Sequence, residues 1–279
     1  MRVHQSWRGY LTVLLLLVLG MTAGVLSSAS TVCRAADTEH LQIDDEILLG
    51  AKLKPQIIQK SGGEWRNPAK LKMIVDIVSR LVPVADRSQV DKVRRNYNVT
   101  LVNDRSINAS CTFGGNITVT RGFIEAFDGQ ADVIACVLGH EISHSARRHL
   151  CNSVERRVSF KGRHASHTLL SLYQLYLSRG FQPAQEMEAD YYGMIYAKKA
   201  GYNPEGMVRF CEFALDLWGK QKPGMGSRVK DWLQDNHPRT QSRLVNARDV
   251  AKRLNSGQSV PTTPVPIYDG PGVLDPNNL

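Results

Sequence analysis

The sequence predicts a mostly α-helical domain with a small β-sheet, an α+β fold, and three observations lead to this class. Apolar residues recur at three- and four-residue spacing through most long segments, which is typical of amphipathic helices. Short β-prone runs at 98–102, 107–113 and 117–120 are separated by turn residues and predict a small antiparallel sheet or meander. A hydrophobic content of 42% is that of a globular protein. We therefore expect one folded domain, residues 37–255.

The amino terminus has the pattern of a secretory signal peptide. Arg2 and Arg8 precede an apolar run at 11–26, and small residues follow that run. We expect residues 1–36 to be removed, which exports the protein, to the periplasm if the host is Gram-negative. A membrane anchor or lipidation at Cys33 is the minor alternative. No nucleic-acid partner is expected despite the net charge of +9, because an exported protein rarely meets nucleic acid.

Two amphipathic helices precede the β-prone region. The first is expected over 37–61 and ends at Gly62 and Gly63, which favour a turn. Asn67 is a suitable cap for the second helix, and Pro68 suits its first position. Together these helices are expected to cover the core of the domain.

The stretch richest in chemistry is His140-Glu141-x-x-His144. On a helix, two histidines four residues apart lie one turn apart on the same face, so both rings can reach one ion. Glu141 projects near that face, where its carboxylate can accept a proton from a water without binding the metal. The apolar run at 131–138 predicts that the helix is buried, and Asp132 in its first turn suits the helix dipole.

A basic stretch at residues 147–163 follows this helix. Six positive side chains fall within it, opposed only by Glu155. It is interpreted as a solvated face or, alternatively, as a patch for peripheral association with an acidic membrane surface. Its basic residues are Arg147, Arg148, Arg156, Arg157, Lys161 and Arg163.

Four cysteines remain after the signal peptide, and none belongs to a C-x-x-C motif. Cys136 lies one turn before His140, but a small buried core residue is the favoured interpretation over a metal ligand. A disulfide among the four is left open, because export exposes the chain to an oxidising compartment. The four are Cys111, Cys136, Cys151 and Cys211.

The carboxyl-terminal half is predicted to be helical before a flexible end. A short apolar helix is expected at 169–176, and longer helices at 183–200, 204–219 and 238–255. The apolar helix at 169–176 is too short to cross a membrane. Residues 256–279 are rich in proline and poor in large apolar residues, which predicts a flexible tail.

A catalytic zinc site needs a third protein ligand, and the candidate lies 42 residues after His144. On a helix, Glu186 and Asp190 share one face, whereas Glu188 points elsewhere. One carboxylate can then bind the metal, and Asp190 can accept the outer N–H of a ligand histidine. The small Ala189 would allow two helices to pack closely.

These motifs resemble the signature of the zinc metallopeptidases typified by HtpX and the type I CAAX prenyl protease. The organisation is most similar to that of the periplasmic members BepA and LoiP. The similarity extends over residues 40–255 and includes Asn108-Ala109-Ser110, the stretch at 114–122, and His237-Pro238 with Arg243. It implies a gluzincin-like domain with an active-site helix, a second ligand-bearing helix and a small sheet.

The resemblance implies a role for each residue of the two motifs. His140, His144 and Glu186 would bind one Zn²⁺ per chain, Glu141 would be the general base, and Asp190 would support a ligand histidine. The implied substrates are polypeptides.

Two further parts of the site come from the same resemblance. His237 matches a family histidine close to the metal, with a cap beside Pro238 as the alternative. An extended substrate would pair with an edge strand. The residues implied for that strand are Asn116, Ile117, Thr118, Val119 and Thr120.

The function implied is that of an exported zinc metalloendopeptidase acting on unfolded or misassembled envelope proteins. The alternative is a chaperone-like binding factor with a latent zinc site and little proteolysis. A purely structural zinc site is disfavoured, because a closed site has no use for the base Glu141.

Overall fold

The computed structural model describes residues 43–85, 97–155, 180–219 and 241–260. The predicted signal peptide, the short apolar helix at 169–176, His237 and most of the tail lie outside these residues. The helices are α1 (Ile43–Lys60), α2 (Pro68–Val84), α3 (Arg121–Ala126), α4 (Ala131–Ala146), α5 (His149–Glu155), α6 (Pro183–Lys199), α7 (Glu205–Gly219) and α8 (Gln241–Ser256). The strands are β1 (Asn98–Val102), β2 (Ala109–Thr112) and β3 (Asn116–Thr120), with a 3₁₀ turn at Phe113–Gly115 between the last two.

The mostly helical α+β prediction is confirmed, and α2 shows how the sequence specifies one element. The Asn67 side chain accepts a hydrogen bond from the backbone N–H of Lys70, and Pro68 occupies the first turn. Ile74 and Leu81 on the inner face of α2 are fully buried, as the helical spacing predicts.

The sheet differs from the predicted antiparallel meander. Strand β3 is central in the order β1-β3-β2, parallel to β1 and antiparallel to β2. The 3₁₀ turn closes the β2–β3 hairpin, with Gly114 in the left-handed region at φ 70°. Every residue of β3 is buried, including the apolar Ile117 and Val119. A strand buried along its whole length is stable between two neighbours, so β1 pairs with β3 instead of with the next strand in the sequence.

Helix α4 is the buried centre of the domain and crosses α6 at two glycines. A Cβ atom on Gly193 would lie 2.5 Å from the backbone nitrogen of His140. A Cβ atom on Gly139 would lie 2.6 Å from the carbonyl oxygen of Gly193. The two backbones therefore touch where only glycine fits. Ala189, the small residue noted in the sequence, is fully buried, but the closest contact is between the glycines.

Helix α7 approaches the other end of α4 in the same way. A Cβ atom on Gly206 would lie 2.2 Å from the carbonyl oxygen of Asp132. Helix α8 packs on α6 and α7, and β2 packs on α4. The active-site helix is thus held between the small sheet and the helices that follow it.

Within the described residues, the structure gives the state of four cysteines and the length and apolar character of each helix. Cys111, Cys136, Cys151 and Cys211 are buried thiols there and form no disulfide with one another. Cys136 is fully buried, as expected of a core residue, and this burial raises its pKa to about 12. Among the described residues, no helix combines the length and apolar character needed to cross a membrane.

Candidate metal centre

His140 and His144 face one another on α4. Their Nε2 atoms are 3.0 Å apart, and their side chains are 5% and 1% exposed. This follows from the four-residue spacing, because one helical turn places the two rings above each other. Burial of α4 on all sides keeps both rings in fixed positions.

Glu186 on α6 supplies a carboxylate to the same point. Its Oε1 atom lies 3.3 Å from His144 Nε2, and its Oε2 atom lies 3.6 Å from His140 Nε2. One ligand atom from each of these three residues lies within 4.8 Å of the others, and all three residues are buried. The Gly139–Gly193 contact explains the geometry, because it brings α6 close enough for a glutamate to reach α4.

Asp190 and Arg243 support this cluster from its outer side. Asp190 Oδ1 is 2.8 Å from His140 Nδ1, so it can accept the outer N–H of that ring. Arg243 donates to both Asp190 oxygens, from Nε at 2.6 Å and from a terminal nitrogen at 2.7 Å. Its other terminal nitrogen is 3.0 Å from Glu186 Oε2. One guanidinium thus holds both carboxylates of the second motif.

The charges in this group are set by burial and pairing. Although burial opposes ionisation of Asp190, the charge of Arg243 and the hydrogen bond from His140 lower the pKa of the carboxyl group. Complete burial holds the pKa of His144 well below its ordinary value, because the charged ring would be desolvated. His144 is therefore neutral at ordinary pH and offers a lone pair.

His149, which the sequence analysis missed, contacts the other side of His144. The two Nδ1 atoms are 2.9 Å apart, and His149 Nε2 is 3.1 Å from Glu188 Oε2. Glu188 also pairs with Arg147, so it points away from the ligand cluster as predicted. Phe181 stacks on His144 with ring centroids 3.7 Å apart. The available signal was a third histidine five residues after His144, but helical spacing alone does not place it there.

Glu141 lies beside the three ligand atoms and not among them. Its Oε2 atom accepts a hydrogen bond of 3.0 Å from the backbone N–H of Cys111 in β2, and its Oε1 atom is 4.0 Å from His140 Nε2. Position 141 follows the first histidine by about 100° around the helix, which accounts for the offset. A carboxylate in this place can exchange a proton with a group at the cluster.

The donor set fits a metal ion with a preference for nitrogen and oxygen ligands. Both Nδ1 atoms are engaged, by Asp190 and by His149, so each ring can direct its Nε2 lone pair to the common point. Two imidazoles and one carboxylate form a donor set of catalytic zinc, which leaves a fourth position for water or substrate. The residues present therefore fit the group that the sequence predicted.

The edge-strand prediction is wrong. Residues 116–120 form the central strand β3, whose two sides are occupied by β1 and β2. A central strand has no free backbone groups for a substrate. Strand β2 is the neighbour of α4, and its Cys111 N–H points away from β3 and toward Glu141.

Two arginines of the basic stretch are used inside the domain. Arg147 pairs with Glu188 and lies over the Tyr192 ring at 4.1 Å, and Arg148 pairs with the buried Glu46 at 3.1 Å. They are therefore not part of a solvated or membrane-facing patch. The remaining four positive side chains lie outside the described residues.

A buried His-Glu-His cluster on a mostly helical domain with a small sheet is gluzincin-like, and it places the chain in the class of metallopeptidases. The profile described as Peptidase family M48 matches residues 68–251. The chain therefore belongs to peptidase family M48.

Individual relatives agree with this assignment. The chain is 27% identical over 268 residues to the Beta-barrel assembly-enhancing protease of Escherichia coli, covering 85% of this chain and 52% of that protein. It is 32% identical over 120 residues to the Mitochondrial metalloendopeptidase OMA1 of Arabidopsis thaliana, which covers 39% of this chain and 24% of the relative. The OMA1 protein of Saccharomyces cerevisiae is 24% identical over 185 residues, with coverage of 62% and 52%. The chain thus spans about half the length of the first of these relatives.

Proposed function

We propose that this chain is an exported, zinc-dependent metalloendopeptidase that hydrolyses peptide bonds in unfolded or misassembled envelope proteins. The convergence of His140, His144 and Glu186, with Glu141 beside them, carries the proposal. A relative from Escherichia coli is the Beta-barrel assembly-enhancing protease, and this name supports the envelope as the place of action.

Each residue of the site has a separate task in this proposal. His140, His144 and Glu186 would hold one zinc ion, which when bound polarises the substrate carbonyl and acidifies water. Glu141 accepts the proton of the attacking water and delivers it to the leaving amine. Asp190 keeps the His140 ring oriented through its 2.8 Å hydrogen bond.

Substrate binding is proposed at the edge of β2. The position of β2 supports this, because it lies at one end of the strand order β1-β3-β2 and packs on α4, and a strand edge beside the active-site helix can pair with an extended polypeptide. A peptide methylated on the backbone nitrogen that pairs with β2 should therefore be cleaved more slowly than its unmethylated parent. Equal rates for every methylated position would contradict pairing at this edge.

The proposal also assigns roles to segments that lie wholly or mostly outside the described residues. Residues 1–36 act as a signal peptide, with anchoring or lipidation at Cys33 as the minor alternative. The flexible tail predicted for residues 256–279 is proposed from residue 261 onward, because Ser256 ends α8 and Val260 packs against the core. His237 lies near the metal and aids the reaction there. The basic residues from 156 to 163 are the remaining candidates for peripheral membrane association.

A chaperone-like factor with a latent zinc site is the second candidate. Glu141 is only 3% exposed, and this burial favours a state in which the base does not reach a polypeptide. Such a protein would bind unfolded clients at the same edge of β2 and cut them slowly.

The deciding experiment compares the zinc-loaded wild type with Glu141→Gln on casein, an unfolded protein. Glu141 is not a ligand in this proposal, so both proteins should contain equal zinc while only the wild type cuts. A chelator should stop the cleavage. Equal cutting by both proteins would refute the role of Glu141. Retention of casein by both without cleavage would favour the binding factor.

A further inference from the structure

We propose that His149 is a positioning residue that fixes the ring orientation and the tautomer of His144. It acts through a chain of hydrogen bonds that runs from His144 to His149 and on to Glu188. The inference rests on the proposed function in one respect, the assignment of His144 as a metal ligand. It concerns the side of the ring that faces away from the metal.

Without a metal ion, Glu186 Oε1 lies 3.3 Å from His144 Nε2 and competes for the ring proton. With the ion at the ligand cluster, the contacts permit one arrangement of protons. The lone pair of Nε2 is then directed at the cluster, so the ring proton is on Nδ1. His149 Nδ1, 2.9 Å away, must accept that proton and carries its own on Nε2. Glu188 accepts the latter at 3.1 Å. Every donor in this chain meets an acceptor, which is the condition for a stable buried network.

The backbone around His149 is built for this contact. Helix α4 ends at Ala146, and Arg148 adopts a left-handed conformation with φ 57°, which is unfavourable for a residue with a side chain. The turn reverses the chain so that α5 begins at His149, with its ring against His144. The pairing of Arg148 with the buried Glu46 holds the strained turn in place.

The surroundings keep the ring of His149 from rotating. His149 is 3% exposed, and its backbone carbonyl accepts a hydrogen bond of 3.3 Å from the side chain of Gln185. Phe181 stacks on His144 and also contacts His149 edge-on at 6.1 Å between ring centroids. His144 is thus supported by a partner on α5, as His140 is supported by Asp190 on α6.

The test compares two variants whose side chains have the same branched shape and the same number of heavy atoms, His149→Asn and His149→Leu. The amide oxygen of asparagine can replace Nδ1 as an acceptor, whereas leucine cannot. The first readout is the ¹⁵N shift of the His144 ring in the metal-free protein at about pH 8, where free histidine is neutral. We expect the Nδ1–H form to predominate in the wild type and in His149→Asn. In His149→Leu the Nε2–H form should rise, because Nδ1 has lost its acceptor and Glu186 Oε1 lies 3.3 Å from Nε2.

The second readout is zinc affinity, measured by competition with a coloured chelator. We expect His149→Leu to bind zinc about 10- to 100-fold more weakly than the wild type, and His149→Asn to recover most of that loss. Wild-type tautomer and affinity in His149→Leu would overturn the inference. Equal losses in both variants would also overturn it, because they would indicate a packing role alone.

A second substitution protects the test against a folding defect. Glu188→Met removes the far acceptor, and with it the partner of Arg147, at a side chain that is 26% exposed and lies outside the apolar core. We expect Glu188→Met to change the tautomer of His144 less than His149→Leu does. A Glu188→Met spectrum identical to that of the wild type would count against the chain of hydrogen bonds. Failure of the wild type to bind zinc would refute the proposed function, whereas the spectrum of the metal-free protein still decides the role of His149.

Discussion

Replacing Gly193 with alanine should weaken zinc binding, although the residue touches no ligand atom. The new Cβ would lie 2.5 Å from the His140 backbone nitrogen and 2.8 Å from its Cα atom. Ordinary contact begins at 3.4 Å, so α6 and α4 must separate by about 0.9 Å. Both neighbours are backbone atoms, which cannot rotate away.

The magnitude follows from what the separation does to the site. Glu186 is carried by α6 and both histidines by α4, and zinc tolerates deviations of only about 0.2 Å in its ligand distances. We therefore expect a loss of at least about 10-fold in zinc affinity. Forced separation of the helices should also destabilise the metal-free protein by about 1–3 kcal/mol. Helix propensity alone predicts the opposite sign, a gain of up to about 1 kcal/mol for alanine over glycine.

The matched control is Gly206→Ala. Its Cβ would lie 2.2 Å from the Asp132 carbonyl oxygen, a clash of the same kind between α7 and the start of α4. Urea unfolding and chelator competition are measured for both variants. Gly206→Ala should lose stability and keep zinc affinity, because Asp132 is eight residues, or about 12 Å, along the helix from His140. Wild-type zinc affinity in Gly193→Ala, or an equal affinity loss in the control, would refute the reasoning.

Three other perturbations test the network around the site. Arg243→Leu should destabilise the metal-free protein by about 3–5 kcal/mol in urea unfolding, because it leaves two buried carboxylates without their cation. Glu186→Gln should lose zinc in a metal assay, whereas Glu188→Gln should retain it, since Glu188 faces His149. Because burial lowers the pKa of His144 below 6.5, the unfolded chain binds the proton first, and metal-free stability should fall below about pH 6.5 by up to about 1.4 kcal/mol per pH unit.

Each of these expectations has a contrary result. Unchanged stability in Arg243→Leu would mean that the carboxylates are protonated or solvated without the arginine. Zinc loss in Glu188→Gln equal to that in Glu186→Gln would make the ligand assignment wrong. In a His144→Asn variant the acid-dependent fall should become shallower, and an unchanged slope would assign it to other groups.

The sequence predicted those parts of the site that depend on local spacing. His140 and His144 on one helix face, and Glu186 and Asp190 on another, follow from the helical repeat alone. Their convergence on one point depends on how α4 and α6 pack. The two motifs nevertheless predicted it, because a catalytic zinc site needs ligands from both. The mostly helical class followed equally well from periodicity.

The remainder could not be inferred from local patterns. His149 reaches His144 only because Arg148 takes a left-handed conformation, which nothing in its residue type favours. The central place of β3 depends on which strand edges become buried, and β-prone residues do not specify that order. The contact of Arg243 with Asp190 joins residues 53 positions apart.

The arginine that holds the two carboxylates also determines when the centre can be completed. Arg243 belongs to α8, the last helix of the described chain, whereas all three ligand residues precede it. During synthesis the ligand residues emerge before Arg243, so Glu186 and Asp190 lack their shared cation until α8 docks. We therefore expect completion of the metal centre to be coupled to docking of α8, which supplies the cation for both carboxylates.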